Sequence, residues 1–257
     1  MSGETIIVNR DGAVLQLGFN RPERKNAITA AMYQVLADQL NAAAQDASIR
    51  AVLIHGSEGV FTAGNDLEDF MMNPPSGDNS SVFQFLQAIS VFPKPLVAAV
   101  TGVAVGVGMT MLMHCDLVYA ADSAKLSVPF AQLGLCPEAG SSYLLPFIAG
   151  YQKAAEKLLL GEAFGAEEAL AIGLVNKVLP ATELMAFANQ QAQKLAALPS
   201  SSMRVTKQLM KSGMTAIIHA KMAEEGVHFK AMLKAPEARE AFTAFAQKRK
   251  PDFAQFG

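Results

Sequence analysis

The sequence is short of the residues around which several kinds of protein are built. Tryptophan is absent, only two cysteines occur in 257 residues, and 21 Lys and Arg face 23 Asp and Glu. Cys115 and Cys136 form neither a C-x-x-C pair nor a metal-ligand cluster, and two are too few for a disulfide framework, so a reducing compartment is expected. The near-even charge balance excludes the basic surface of a nucleic-acid binder and the polybasic patch of a membrane-surface protein. Met1 to Asn9 lacks a basic stretch followed by an apolar core, and Gln255-Phe256-Gly257 is not a peroxisomal tripeptide, so a cytoplasmic location is expected. Common catalytic signatures are also missing. There is no G-x-S-x-G elbow, H-E-x-x-H pair or G-x-x-x-x-G-K loop, and the four histidines are scattered, so no metal site is expected.

One long apolar run is present. Leu96 to Met113 carries no charge and meets the length criterion for a membrane span. Gly102, Gly106, Gly108, Thr101 and Thr110 interrupt it, however, and Leu96-Val97-Ala98-Ala99-Val100 fits a strand buried on both faces better than a span.

Half of the residues are hydrophobic, enough at this length for one compact body. Thr5 to Phe19 alternates apolar and polar residues around Asp11-Gly12, which predicts an opening hairpin. From the N-cap residue Thr29, helical spacing of Met32, Val35, Leu36, Leu40 and Ala43 predicts a helix ending near Asp46. Strands are predicted at Ala51–His55, at Leu96 and at Asp116–Ala120, with helices between them, including one over Ser80–Val91. This alternation points to an α/β architecture. Past Glu138 the pattern becomes almost wholly helical, ending in long helices from about Ser202 to Lys248. The polar stretch Asn73 to Ser81 is read as a surface loop, or as a flap over a site. Met71, Met72, Met109, Met111 and Met113 are read as core filler or tunnel lining. His114 and Cys115 are read as packed.

Three features could carry chemistry. Phe61-Thr62-Ala63-Gly64-Asn65-Asp66-Leu67 and Ala104-Val105-Gly106-Val107-Gly108-Met109-Thr110 are glycine turns between a strand and a helix. Such turns can aim backbone N–H groups outward at one point, as an oxyanion hole requires, or can simply permit a tight turn. Gly106-Val107-Gly108 is not a dinucleotide fingerprint, because Met111 stands in the place of the third glycine. The third feature is Glu138, set among apolar or small neutral residues. Poor solvation would raise its proton affinity into the range of a general base, although a first-turn helix acid after Pro137 would have the same sequence.

Together these segments resemble the crotonase (enoyl-CoA hydratase/isomerase) superfamily over nearly the whole chain. The resemblance is carried by Asn20-Arg21-Pro22-Glu23-Arg24-Lys25-Asn26-Ala27, by the two glycine turns, by Lys94 to Gly102, by Ala166 to Val178, and by Lys248-Arg249-Lys250-Pro251-Asp252-Phe253. It implies a spiral of ββα units with a C-terminal helical layer, divided as residues 1–200, a core with an acyl-CoA site, and 201–257, a helical oligomerisation region. It further implies an oxyanion hole from the backbone N–H groups of Asn65 and Val107 beside Gly106. Ala63, Gly64, Asn65, Asp66 and Leu67 would then line the thioester and pantetheine, with Arg24 and Lys25 meeting the CoA phosphates or adenine. Coenzyme A enters with the acyl-CoA substrate, so no separate cofactor is implied, and a homotrimer or dimer of trimers is. Where two-glutamate hydratases of the superfamily hold their acids, this chain has Thr110 and Phe130. Glu138, in Pro-Glu-Ala-Gly-Ser-Ser-Tyr, resembles the single acid of the monofunctional Δ3,Δ2-enoyl-CoA isomerases. The alternatives are a hydratase or another crotonase reaction that uses Glu138 alone or recruits a further group such as Asp66 or Asp69, and a non-catalytic acyl-CoA-binding or assembly module.

Overall fold

A computed structural model of the chain describes residues 4–57, 59–73, 77 and 79–256. Pro74, Pro75, Ser76 and Asp78, on which the flap expectation falls, lie outside the described residues, as do residues 1–3 and 257 of the termini considered above.

β1 (Ile6–Asp11) and β2 (Val14–Phe19) form the predicted hairpin, with Asp11 paired to Val14 and Gly12 at φ +60° in the two-residue turn. Glycine adopts this positive φ without the strain a Cβ brings. α1 (Ala30–Gln45) follows, with Thr29 Oγ1 accepting the Met32 N–H at 3.4 Å. Its buried face is Met32, Tyr33, Leu36, Ala37, Leu40 and Ala43, while Val35, expected inside, is exposed. The chain continues through β3 (Ala51–His55), α2 (Leu67–Met72), α3 (Ser81–Val91), β4 (Leu96–Val100), β5 (Val103–Val105), α4 (Val107–Thr110), β6 (Leu117–Ala121) and β7 (Lys125–Ser127). Then come α5 (Ser141–Ala149), α6 (Tyr151–Ala155), β8 (Phe164–Gly165), α7 (Ala166–Ala171), β9 (Lys177–Leu179), α8 (Ala181–Ala197), α9 (Ser200–Ser212), α10 (Thr215–Met232) and α11 (Pro236–Ala246).

The architecture is mixed α/β with a parallel-dominated sheet and a helical C-terminal region. The main sheet has the order β1-β2-β3-β4-β6-β9, parallel except for the opening hairpin; a smaller sheet has the order β5-β7-β8. β3 and β4 are central and covered on both faces, which is why they are continuous apolar runs. Their alternate residues go to different layers. Val52, Ile54, Leu96, Ala98 and Val100 join the larger core with α1 and α3, whereas Ala51, Leu53, Val97 and Ala99 pack on α8 through Leu184, Ala188, Ala192 and Ala196. Lys94 is buried yet satisfied, its ammonium donating to the carbonyls of Ala43, Asp46 and Ile49 and so closing the end of α1.

The segment after Glu138 is less purely helical than its pattern predicts. β8 and β9 interrupt it, and β9 completes the edge of the main sheet beside β6. Strands of two or three residues are too short to show a period of two. The apolar run Leu96 to Met113 becomes β4, β5, α4 and a 3-10 turn, and among the described residues no helix is long and apolar enough to cross a membrane. Met109, Met111 and Met113 are core residues, but Met71 and Met72 are exposed, because the short α2 is largely uncovered.

Candidate active site

Both glycine turns are pinned by backbone pairing, and that pairing decides which amides remain free. In the first, Ile28 N–H donates to Gly64 O at 2.8 Å and Asp66 N–H donates to Ile28 O at 2.9 Å. A parallel bridge of this form turns the N–H of the intervening Asn65 to the opposite side. In the second, Gly106 adopts φ +56° and ψ −120° and starts α4 at Val107, whose N–H belongs to the unsatisfied first turn of a helix. Among the described residues, neither the Asn65 nor the Val107 amide has a protein acceptor.

The two turns abut. A Cβ on Gly64 would lie 2.6 Å from the Val105 carbonyl oxygen, and one on Gly108 would lie 2.5 Å from Thr62 Cγ2. Thr62 N–H donates to Val103 O at 2.9 Å and Val105 N–H to Thr62 O at 3.0 Å, which locks the segments side by side. Close approach therefore requires both glycines, and Gly64 is required by its φ of +87° as well.

Glu138 sits just before α5, in a loop bent by two consecutive left-handed residues, Ala139 (φ +61°) and Gly140 (φ +71°). Three contacts hold this loop. His114 Nε2 lies 2.8 Å from Ala139 O, and Glu225 accepts the Gly140 and Ser142 N–H groups at 2.6 and 2.9 Å. Thr110 Oγ1 donates to Glu138 Oε1 at 2.5 Å. Burial drives the His114 pKa down to about 4, so the ring is neutral near pH 7 and donates from Nε2. Burial raises Glu138 to about 8, with the Glu225 charge adding to the rise and the Thr110 hydroxyl opposing it.

Asn65, Glu138 and Ala139 line one cleft, continued by apolar side chains including Phe70, Phe83, Met222 and Phe229. Among the described residues lining it, Glu138 is the one acid. The cleft thus combines Asn65, whose amide is free, a carboxyl group whose proton affinity suits proton transfer near neutral pH, and an apolar extension; Ala63, Gly64, Gly106 and Val107 are not among the residues that line it. Among the described residues there is no group of three His, Cys, Asp or Glu able to hold a metal ion.

The other residues singled out in the sequence lie around this centre. Ala63 N–H donates to Lys25 O at 2.9 Å, docking the Arg21–Ala27 loop on the first turn, and Lys25 is exposed with φ +52°. Arg24 contacts Asp66 at 3.5 Å and Glu68 at 3.2 Å. Leu67 opens α2 and, like Asp66, is not among the cleft-lining residues. Asp66 is buried, pairs with Arg21 at 2.6 Å and caps α2 by accepting the Glu68 and Asp69 N–H groups. Burial pushes its pKa up, but the Arg21 bond and the Asp69 N–H outweigh it and hold the carboxyl below its ordinary value. Asp69 accepts the Ala30 N–H at 2.7 Å. Both carboxylates are thus engaged in structure. Phe130 is buried with its ring against Phe229, the centroids 6.4 Å apart. His114 and Cys115 are packed as expected, burial lifting the Cys115 thiol to about 12 and leaving it unreactive.

Sequence reasoning missed four contributors. Tyr33 donates its hydroxyl to Asn65 Oδ1 at 2.5 Å, and Asn26 donates to Ser57 Oγ, Val60 O and Phe61 O from full burial. The others are His114, as an anchor, and Glu225. Each acts on a segment distant in sequence and has no local signature.

The family model described as enoyl-CoA hydratase/isomerase matches residues 9–256. Enoyl-CoA delta isomerase 2 of Rattus norvegicus is 38% identical over 250 residues, covering 95% of this chain and 64% of that protein, so the chain spans under two thirds of that relative's length. The 2,3-dehydroadipyl-CoA hydratase of Escherichia coli (strain K12) is 34% identical, covering 96% of this chain and 98% of that protein. The crystal structure of an enoyl-CoA hydratase/isomerase from Pseudoalteromonas atlantica T6c superposes with a TM-score of 0.93 at 43% identity, covering 97% of this chain and 100% of that one.

Proposed function

The chain belongs to the enoyl-CoA hydratase/isomerase family, and from that premise we propose that it is a Δ3,Δ2-enoyl-CoA isomerase serving fatty-acid β-oxidation. The observation that carries this reading is Glu138, the one acid among the described residues lining the cleft, raised to about 8 and hydrogen-bonded to Thr110, while the nearby Glu225 carboxylate is engaged by the Gly140 and Ser142 N–H groups.

In this reading the substrate's thioester oxygen accepts the Asn65 and Val107 N–H groups. Glu138 in its carboxylate form removes a C2 proton from a 3-enoyl-CoA. The electron pair moves into a dienolate whose negative charge on oxygen the two amides stabilise, and Glu138 returns the proton to C4 as the double bond forms between C2 and C3. One carboxyl group completes the cycle and no water is consumed. Syn-hydration would need water held and deprotonated while a second proton is delivered. Arg24 and Lys25, on the loop docked against the first turn, are the proposed contacts for the CoA phosphates.

The similarity to the E. coli hydratase over nearly its full length favours hydration as the second reading. Glu138→Gln separates the two when 3-enoyl-CoA and 2-enoyl-CoA are supplied separately. Wild type is expected to isomerise and barely hydrate, with isomerisation falling by about 10²–10⁴ in the variant, the usual worth of a positioned acid/base. Rapid hydration of 2-enoyl-CoA by wild type would replace isomerase with hydratase. Binding without either reaction would leave an acyl-CoA-binding or assembly module.

A further inference from the structure

The buried face of α1 is apolar apart from one hydroxyl. Met32, Leu36, Ala37, Leu40 and Ala43 carry no N–H or O–H in their side chains, whereas Tyr33 brings a phenol into the same buried layer. Its ring packs against Phe85 of α3 with the centroids 5.5 Å apart, a contact that phenylalanine would make equally well. Burial and, after it, the Glu138 charge hold the phenol well above its ordinary pKa, so the proton stays on the oxygen and needs an acceptor. That acceptor is Asn65 Oδ1, at 2.5 Å.

The bond decides which end of the Asn65 carboxamide is left over. The reverse arrangement, Nδ2 donating to the phenol oxygen, would leave the phenol proton unpaired in a buried place, since among the described residues the Tyr33 hydroxyl has no other partner. With Oδ1 taken, Nδ2 remains. Among the described residues it has no protein acceptor, and it is not one of the buried polar atoms cut off from solvent. Asn65 lines the cleft, and of the described residues that do so it is the one whose side chain carries an N–H donor. Apart from Glu138 the rest of the lining is apolar, so a hydrogen bond made there to a developing charge is worth more than in water.

This step rests on the acyl-CoA reading of the site, in which the thioester oxygen accepts the Asn65 N–H. We propose that the Asn65 side chain is a further catalytic residue, its Nδ2–H group donating to that oxygen as the enolate forms, and that Tyr33 is the positioning residue that turns this donor toward the substrate. Asn65 then supplies one donor from its backbone and one from its side chain. The position needs asparagine, because alanine lacks the second donor and aspartate replaces it with an acceptor.

Acetoacetyl-CoA tests this whichever reaction the enzyme performs, because loss of its C2 proton to Glu138 gives an enolate that absorbs in the near ultraviolet. It is titrated into the full chain and into Asn65→Ala, Asn65→Asp, Tyr33→Phe and the double variant Tyr33→Phe/Asn65→Ala, with kcat and KM for 3-enoyl-CoA measured alongside. Loss of one hydrogen bond to a charged group should lower the bound enolate-to-keto ratio and kcat roughly 10- to 100-fold in Asn65→Ala, with KM within about twofold of wild type. Asn65→Asp keeps the acceptor for Tyr33 but has no side-chain N–H, so it should lose at least as much. Tyr33→Phe should lose about 2- to 10-fold, and nothing further once Asn65 is alanine. A bond that is only structural would lower Tm and leave the enolate ratio and kcat unchanged, and that result, or full activity in Asn65→Asp, overturns the assignment alone. An equal loss from Tyr33→Phe in both backgrounds overturns the part given to Tyr33. If wild type neither binds nor enolises acetoacetyl-CoA, the proposal falls together with the acyl-CoA reading. Should Asn65→Ala fail to fold, Asn65→Asp, which preserves the Tyr33 bond, decides the matter.

Discussion

Glu138 could be singled out in the sequence because neutral neighbours on both sides foretell poor solvation. Its partners could not. The Thr110 hydroxyl and the Glu225 charge act on it in opposite directions, and both come from elsewhere in the chain. With a pKa of about 8 the carboxylate form is about a tenth of the enzyme at pH 7, so kcat/KM for isomerisation should rise with pH and level off above about 8. Thr110→Val removes the interaction that lowers this pKa. The rising limb should move to higher pH, and kcat/KM at pH 7 should fall roughly tenfold, the worth of a hydrogen bond to a charged group. A pH–rate profile of both proteins checks this, and an unmoved limb counts against Glu138 as the base. The same shift links to stability. A proton held up to about 8 in the folded state but only to 4.5 in the unfolded chain favours folding fully below 4.5, and that contribution is lost as pH rises through 8. Glu138→Gln should therefore be the more stable protein above about pH 8 and should lose that advantage near pH 4.5, read as a Tm difference of roughly 2–4 °C for each kcal/mol.

At the scale of elements, β3 and α1 were legible because a fully buried strand and an amphipathic helix each write their surroundings into consecutive residues. β9 was not, since three residues carry no period and the strand exists by pairing with β6. The glycine turns were legible as turns, and their mutual contact was not. Gly64 combines φ +87° with a Cβ that would reach 2.6 Å from the Val105 oxygen. Gly64→Ala should thus destabilise the chain by about 1–3 kcal/mol and shift the Asn65 amide. Where the variant still folds, denaturant melts should show the loss, and kcat should fall more than KM rises, because the amide binds charge present mainly in the transition state. A variant of normal stability and normal kcat would remove Asn65 from the oxyanion hole.

At the scale of the whole molecule, one chain leaves Phe147, Tyr151, Leu159 and Leu209 more than half exposed. The family resemblance implies a homotrimer or dimer of trimers, and such an assembly would provide cover for side chains of this kind. Analytical ultracentrifugation should give about three or six times the mass of 27.3 kDa, and a monomer at micromolar concentration would refute it. The sequence by itself determined the α/β class and the two glycine turns and marked Glu138 as a candidate acid, because burial on both faces, positive φ and poor solvation all select residue types locally. Only the tertiary structure decided that Asp66 and Asp69 are structural acids and that Thr110 and His114 reach the Glu138 loop. Hydrogen bonds and van der Waals contacts act over a few ångströms in space, and the partners here lie tens of residues apart along the chain.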